Sequence, residues 1–305
     1  MSSFQEINSL DAIRRDGTDM LVMYNSWAGG LIRNPALMLV PIDDHLVHRG
    51  DGVFEAIKVI KDKPWLKDKH LKRLKGSAAY IGLDLSKLPQ LEAVVDTLSK
   101  EHQDLGTRLL RIFVARGPGS FSTNPYDSTG PQLYVILHKM KPPADRNWNT
   151  GVKTGISDFT PKGFPWATIK SCNYLINVMM KKEAVDKGLD FTLGFDGDTL
   201  TESSTENLAV LTQADEIIYP PKKTILSGTT LERMCELVRE HEPSLKIIER
   251  KLTLQELQQA KEVFMVGTTI DVMPVVEVAG KPIGQGVPGP WARKLKLLLE
   301  ADQQS

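Results

Sequence analysis

The chain has 305 residues, 41% of them hydrophobic, which is enough apolar material for two globular cores. Lys plus Arg and Asp plus Glu both total 38, so no net charge favours nucleic acid or an anionic membrane. Two distant cysteines, Cys172 and Cys235, argue against a disulfide framework and against a metal site. The first residues lack a signal-peptide pattern and no apolar run approaches about 18 residues, so we expect a cytoplasmic protein.

The first half predicts strands and two helices. Leu71, Leu74, Ala78 and Ile81 recur at spacings of three and four, which is typical of an amphipathic helix, and residues 88–98 repeat the pattern. Runs rich in β-branched and apolar residues predict strands at 19–24, 53–60, 108–116 and 132–139. The small residues of 117–125 predict a flexible loop over 117–130 that lies outside the core.

A cationic cluster precedes the turn Gly50-Asp51-Gly52. His45, His48 and Arg49 gather there, and the two glycines allow positive φ or a close approach to a ligand. The alternative is a solvated turn with ordinary polar residues.

Residues 141–151 contain two prolines and no apolar period, so we expect an interdomain connector there. Beyond it the sequence predicts strands at 152–157, 190–195, 199–202, 207–211 and 262–266, and helices at 175–187, from 228 onward and at 290–301. A strand-rich order with few helices indicates a curled sheet.

Lys170 stands between the apolar residues Trp166, Ala167 and Ile169 and the start of a predicted helix. Partial desolvation there would lower the pKa of the amine, as a covalent role with an aldehyde requires. The alternative is a solvated surface lysine.

Two further features fit cofactor chemistry. A carboxylate, Glu202, follows Lys170 in the chain, and Gly228-Thr229-Thr230 opens a predicted helix whose exposed amides would attract a phosphate. A plain helix cap is the alternative for this turn.

Six motifs occur in order: Arg49-Gly-Asp-Gly-Val-Phe54-Glu55, His70-Leu-Lys-Arg73-Leu, Lys170-Ser-Cys-Asn-Tyr174-Leu, Thr201-Glu202 with Glu206-Asn207-Leu, Leu226-Ser-Gly-Thr-Thr230, and Gly267-Thr268-Thr269 with Met273-Pro-Val275. Together they resemble the class IV pyridoxal-phosphate aminotransferases. This fold-type IV family contains branched-chain and D-amino-acid aminotransferases and aminodeoxychorismate lyases. The resemblance runs from about Pro41 to Glu300.

The resemblance implies pyridoxal 5'-phosphate held by Lys170 as an internal aldimine, with Glu202 on its ring nitrogen and Tyr174 near its O3′. Lys170 would also be the base that moves the substrate Cα proton. The remaining cofactor contacts would come from Arg73, Thr229, Thr230, Thr268 and Thr269. The substrate would contact His45, His48, Arg49, Phe54 and Arg111.

The subfamily rests on what is absent. Residues 117–130 contain no Arg, Lys or His, so the Arg-x-His carboxylate trap of bacterial D-amino-acid aminotransferases is missing. The tyrosine that branched-chain enzymes place two residues before an arginine is Leu109 here, although Arg111 is present. Arg49, with His45 and His48, is therefore expected to bind the substrate carboxylate.

We therefore expect an α+β fold with a small α/β sandwich domain at 1–140, a connector at 141–151 and a larger β-barrel-like domain at 152–305. The expected activity is transamination between a small amino acid and a 2-oxo acid. The family resemblance implies a homodimer. Two alternatives stay open, namely a lyase that releases pyruvate and 4-aminobenzoate, against which Glu55 argues because lyases often carry threonine there, and a non-catalytic cofactor-binding protein.

Overall fold

The structure is a computed structural model that describes residues 18–305, with the side chains of Asp145 and Arg146 left out. The first 17 residues of the predicted small domain lie outside the described residues. The chain divides into two compact units, Met1–Met140 and Lys141–Ser305. No helix in residues 18–305 is long and apolar enough to cross a membrane.

The first unit is an antiparallel sheet of six strands in the order β2-β1-β6-β5-β3-β4. Its helices α2 and α3 carry the predicted apolar stripes, with Leu71, Leu74, Val95 and Leu98 buried. The strands are β1 Met20–Asn25, β2 Gly30–Ile32, β3 Gly52–Ile60, β4 Lys63–Pro64, β5 Arg108–Ala115 and β6 Gln132–Lys139, and the α-helices are α1 His45–Arg49, α2 Lys67–Tyr80 and α3 Leu91–Ser99.

The second unit contains a nine-stranded sheet in which β12-β11-β10-β13-β14-β7-β8-β9 follow one another and β15 pairs with β14. Its strands are β7 Val152–Ile156, β8 Phe191–Asp196, β9 Thr199–Ser203, β10 Asn207–Leu211, β11 Glu216–Tyr219, β12 Lys246–Glu249, β13 Glu262–Gly267, β14 Asp271–Val278 and β15 Lys281–Pro282. Its α-helices are α4 Asp145–Thr150, α5 Leu175–Asp186, α6 Thr229–His241, α7 Leu254–Gln258 and α8 Pro290–Gln304.

This sheet curls until its two ends meet. The Leu200 amide of β9, at one end of the strand order, donates to the Leu252 carbonyl just after β12, at the other end, at 2.8 Å. Thr199 and Thr253 form an isolated antiparallel bridge at the same place. The expected α+β fold with a barrel-like second domain is confirmed by this closure and by the structural neighbours reported below.

The stretch predicted as an irregular connector contains a helix. Within residues 141–151, α4 spans Asp145–Thr150, and the Trp148 indole Nε1 donates to the Val272 carbonyl of β14 at 3.2 Å. Trp148 also packs against the main apolar core of the second unit. Part of this stretch is therefore built into the second unit.

Candidate active site

Lys170 lies between a short 3-10 helix, Trp166–Thr168, and the start of α5. Its Nζ is 3.4 Å from the Tyr174 hydroxyl oxygen and 5.7 Å from the centre of the Tyr174 ring. Lys170 is half-buried, as predicted, and Ala167 and Ile169 beside it are buried. Trp166 differs from the expectation because 54% of it is exposed. The apolar flank of the lysine in its own segment is therefore Ala167 and Ile169.

Glu202 is held in a fixed orientation on β9. Its Oε2 accepts hydrogen bonds from the Leu226 amide at 3.0 Å and from the Asn207 Nδ2 at 3.2 Å. The same Asn207 nitrogen donates to the Leu226 carbonyl at 2.9 Å. Asn207 is therefore a second link, beside the direct bond from the Leu226 amide, between Glu202 and the loop before α6.

That loop ends at Gly228, the N-cap of α6, where no side chain caps the helix. A Cβ atom at Gly228 would lie 1.8 Å from Asn207 Oδ1, so only glycine fits against the asparagine. Thr229 and Thr230 follow, both buried, and the Thr230 Oγ1 is buried without a hydrogen-bond partner. A helix start whose amides have no intrahelical partner, beside an unsatisfied hydroxyl, is suited to an anion.

The second predicted threonine turn, Thr268-Thr269, connects β13 to β14, and both residues are half-buried. Strand register places this turn near Asn207, the residue that donates to Glu202. Asn207 pairs with Val266, and a Cβ atom at Gly267 would meet the Glu206 side chain at 3.8 Å. The turn therefore lies at the same end of the sheet as the start of β10.

One cavity of the second unit is lined by Lys162, Ile169, Tyr174, Glu202 and Leu226, together with other residues. These groups fit pyridoxal phosphate. The oriented Glu202 suits a protonated ring nitrogen, and the unpartnered Thr230 hydroxyl at the start of α6 suits a phosphate.

In the first unit, Arg73 of α2 lies against a buried carboxylate. Its Nε donates to Glu55 Oε1 at 2.7 Å and its Nη2 donates to Glu55 Oε2 at 2.8 Å. His70 Nδ1 is 2.7 Å from Glu55 Oε2, and both Glu55 and His70 are completely buried. The guanidinium predicted to bind phosphate is thus held by a two-residue support within its own unit.

The predicted substrate cluster forms on α1. The ring centres of His45 and His48 are 5.0 Å apart, and His45 Nε2 is 3.0 Å from the Ser120 carbonyl oxygen. Arg49 is exposed and donates to the carbonyl oxygens of His48 and Phe121. These side chains therefore join α1 to the predicted loop 117–130. Their role in binding a carboxylate stays a prediction.

Phe54 and Arg111 share one face of the first sheet. Phe54 pairs with Phe113 and Ala56 with Arg111 in the β3–β5 ladder, and the Phe54 and Phe113 rings stack at 5.9 Å. Arg111 Nε donates to His138 Nε2 at 3.3 Å. Burial, with the Arg111 charge, lowers the pKa of His138. A neutral His138 is thus available as the acceptor for Arg111.

Sequence reasoning missed the residues that hold the predicted ones. Asn207 and Glu55 stood inside quoted motifs without a role, because their partners are distant in sequence. Asp44 was also missed. It caps α1 through the Leu46 amide at 2.9 Å and accepts from the Tyr134 hydroxyl at 2.7 Å. An Asp before a short helix is a recognisable N-cap signal, whereas its bond to β6 has no sequence signature.

Comparisons with known proteins agree with the resemblance. The sequence model of the amino-transferase class IV family matches residues 52–278. The chain is 32% identical to the chloroplastic D-amino-acid transaminase of Arabidopsis thaliana, over all of this chain and 82% of that protein. It is 30% identical to the D-alanine aminotransferase of Bacillus licheniformis, over 92% of this chain and 96% of that one.

Solved structures share the fold. A T.th. branched-chain amino acid aminotransferase with pyridoxamine 5'-phosphate has a TM-score of 0.85 at 22% identity and covers 94% of this chain and 95% of its own. A hypothetical aminotransferase from Mycobacterium tuberculosis in its PLP-bound form has a TM-score of 0.78 at 21% identity, over 92% and 98% of the two chains. The family match and the two relatives make the predicted enzyme class firm. The chain belongs to the class IV amino-transferases, which are pyridoxal-phosphate-dependent transaminases.

Proposed function

We propose that this transaminase moves the amino group of a small D-amino acid to a 2-oxo acid. The observation that carries the chemistry is one cavity that is lined by both Tyr174 and Glu202. The Glu202 carboxylate is oriented there by Leu226 and Asn207, and Lys170 Nζ lies 3.4 Å from the Tyr174 hydroxyl. The preference for D-amino acids is supported by the names of the two relatives that are at least 30% identical.

Pyridoxal phosphate, when bound, supplies a ring that accepts the electrons left on the substrate Cα when its proton leaves. Lys170 Nζ would hold the cofactor until the amino acid takes its place. The freed amine would then be the base that takes the proton from the substrate Cα and moves it to C4′ of the cofactor. Glu202 would keep the ring nitrogen of the cofactor protonated, and the two hydrogen bonds that its Oε2 accepts hold the carboxylate in place.

The phosphate is proposed to bind at the start of α6. Thr229 and Thr230 form the first turn of α6, where backbone N–H groups point out of the helix toward a ligand. The Thr230 hydroxyl is buried and unpartnered, so a phosphate oxygen would complete it. Thr268, Thr269 and Arg73 are proposed as further phosphate contacts from the family resemblance.

The substrate carboxylate is proposed to bind through Arg49 with His45 and His48, and Phe54 and Arg111 are proposed as further substrate contacts. A carboxylate removed from water needs a cation or several donors. A homodimer and a cytoplasmic location are proposed from the family resemblance and the sequence. The lyase alternative is less favoured, because the relatives described above are named as aminotransferases.

The test is a set of single half-reactions. Purified holoenzyme is mixed with one amino acid at a time, from a panel of D- and L-enantiomers, and the visible cofactor band is followed. Loss of the band with small D-amino acids supports the proposal, and pyruvate or 2-oxoglutarate should restore it. Conversion by L-enantiomers alone overturns the proposed stereochemistry. If no amino acid converts the band while aminodeoxychorismate yields pyruvate and 4-aminobenzoate, the enzyme is a lyase.

A further inference from the structure

A second lysine, Lys162, lies beside Tyr174 and lines the cavity that Tyr174 shares with Glu202. Lys162 is half-buried, and its Nζ is 4.7 Å from the centre of the Tyr174 ring, closer than the 5.7 Å of Lys170. Across residues 18–305, no carboxylate oxygen lies within 4.0 Å of Lys162 Nζ. Tyr174 therefore has two ammonium groups beside it, and only one of them has an assigned role.

Burial removes part of the water around the Lys162 ammonium, and no ion pair within the described residues compensates for that loss. Burial lowers the pKa of Lys162, and the charge of Glu202 acts in the opposite direction without forming an ion pair. The face of a tyrosine ring attracts a cation, but more weakly than a charged oxygen does. A desolvated ammonium of this kind gains most from an anionic oxygen that enters the cavity.

An exposed lysine in the same unit shows the ordinary case. Lys181 Nζ is 4.9 Å from the centre of the Phe191 ring, so it has a similar ring contact. It is exposed to solvent, however, and donates to the Asp190 carbonyl at 2.8 Å. Lys181 thus keeps water and an oxygen partner, whereas Lys162 faces a cavity.

We propose that Lys162 binds an anionic oxygen inside this cavity, carried either by the cofactor ring or by the substrate carboxylate. The inference rests on the proposed function, because it takes the cavity to be the place where cofactor and substrate meet. Lys162 would then supply a cation in an enzyme that lacks both the Arg-x-His trap and the carboxylate-binding tyrosine of its relatives.

The experiment compares the wild-type holoenzyme with Lys162→Met, Lys162→Arg and the matched control Lys181→Met. The first arm uses pyridoxal phosphate alone, and measures its dissociation constant and the pH midpoint of the visible band without substrate. The second arm measures KM and kcat for the amino donor, and inhibition by a simple monocarboxylate such as acetate. Thermal melting of each apo variant checks the fold.

If the oxygen belongs to the cofactor, Lys162→Met weakens the binding of pyridoxal phosphate at least tenfold and shifts the pH midpoint of the visible band. If the oxygen belongs to the substrate, the dissociation constant of pyridoxal phosphate and the pH midpoint are unchanged. KM for the amino donor then rises at least tenfold, and acetate inhibits less strongly. Lys162→Arg restores most of the loss in either case, and Lys181→Met behaves as wild type. Wild-type constants in both arms for Lys162→Met overturn the proposal.

The first arm needs no turnover. If the wild type converts no amino acid, the proposed function fails while the pyridoxal phosphate arm still tests Lys162. Should Lys162→Met melt well below the wild type, Lys162→Gln takes its place, since it keeps a polar end and removes only the charge. An unchanged Lys162→Gln in both arms overturns the inference equally.

Discussion

Glu55 and Arg73 form a two-point ion pair, in which the Nε and Nη2 of one guanidinium donate to the two oxygens of one carboxylate at 2.7 and 2.8 Å. The carboxylate is completely buried. Burial alone would raise the pKa of Glu55, but the charge and hydrogen bonds of Arg73, with help from His70, hold it at about 2. The pair fixes the plane of the guanidinium, which a single bond would leave free to rotate.

Acid should therefore destabilise the protein through Glu55. Its folded-state pKa is depressed from 4.5 to about 2, so its contribution is complete above about 4.5 and is lost as pH falls toward 2. A shift of this size corresponds to roughly 3 kcal/mol. Urea unfolding between pH 2.5 and 7 checks this. Glu55→Gln should be destabilised by about 3–5 kcal/mol at pH 7 and lose part of the pH slope, because it removes the carboxylate that balances the Arg73 charge.

Glu92→Gln is the control for that series. Glu92 also pairs with a cation, Lys75, at 2.7 Å, but both side chains are more than half exposed. Exposed pairs contribute little, so this variant should unfold like the wild type at every pH. A wild-type pH slope in Glu55→Gln would contradict the assignment.

Arg73→Ala should lose cofactor. Charge-assisted hydrogen bonds to a phosphate contribute about 1.5–3 kcal/mol each, so retention of pyridoxal phosphate on dialysis should fall at least tenfold. Because Glu55 would lose its partner, unfolding must be measured alongside. Arg73→Lys keeps the charge but not the fork, and should retain an intermediate amount. Full retention by the alanine variant would remove Arg73 from the phosphate site.

Lys170 should carry the cofactor covalently. The purified protein should be yellow, and borohydride should fix the cofactor to one peptide containing Lys170, identified by mass spectrometry. Lys170→Ala should bind the cofactor without a borohydride-stable link and should fail in both half-reactions. A label on Lys162, the other lysine beside Tyr174, would move the covalent centre.

Thr230→Val should separate stability from binding. The Oγ1 of Thr230 is buried without a partner, and replacing such a hydroxyl with a methyl group is neutral or stabilising. The apo variant should therefore melt at or above the wild-type temperature, while its affinity for pyridoxal phosphate falls by about 0.5–1.5 kcal/mol, the usual net value of one hydrogen bond. A less stable apo protein with unchanged affinity would show that the hydroxyl serves the fold.

If Arg49 binds the substrate carboxylate, Arg49→Ala should raise KM for the amino acid much more than it weakens the binding of pyridoxal phosphate. The guanidinium also donates to the Phe121 carbonyl, so its removal can also release the loop. Limited proteolysis distinguishes the two effects. New cleavage within residues 117–130 with an unchanged KM would mean that Arg49 anchors the loop and that another group binds the carboxylate.

Local periodicity predicted the first unit well because its elements are regular and amphipathic. The second unit was harder between residues 212 and 258, where β11, β12 and α7 were not predicted. The two strands are four residues each and pair in parallel, so neither shows alternation. Helix α7 did have a signal, since Thr253 and Glu256 form a capping box.

Tertiary contacts decided the remaining differences. Two prolines and a polar composition favoured an irregular connector, but the indole of Trp148 has a carbonyl partner in β14 and draws the segment into a helix against it. Loop 117–130 was expected to stay outside the core, yet Gly117 is buried. A Cβ atom there would lie 2.0 Å from the Gly130 carbonyl oxygen, which requires glycine at a φ of +100°.

The residues of the candidate site also differ in how far sequence alone predicts them. Residues that would touch the cofactor stand in short motifs and are named from sequence alone. The residues that orient them cannot be named in this way. The Asn207 bond to Glu202 and the Glu55 bond to Arg73 depend on strand order and helix placement. Side-chain type predicts chemistry, while orientation is a property of the assembled fold.

The bond from the Leu200 amide to the Leu252 carbonyl has a consequence for how the protein behaves in crowded solution. A strand at the end of an open sheet presents unused donors to which foreign chains can add, and aggregation starts at such edges. Here β9 uses that amide within its own chain. At the opposite end, β12 begins with Lys246 and finishes with Glu249, both exposed. Charged residues at an edge discourage strand addition, so this sheet is poorly suited to recruiting other chains.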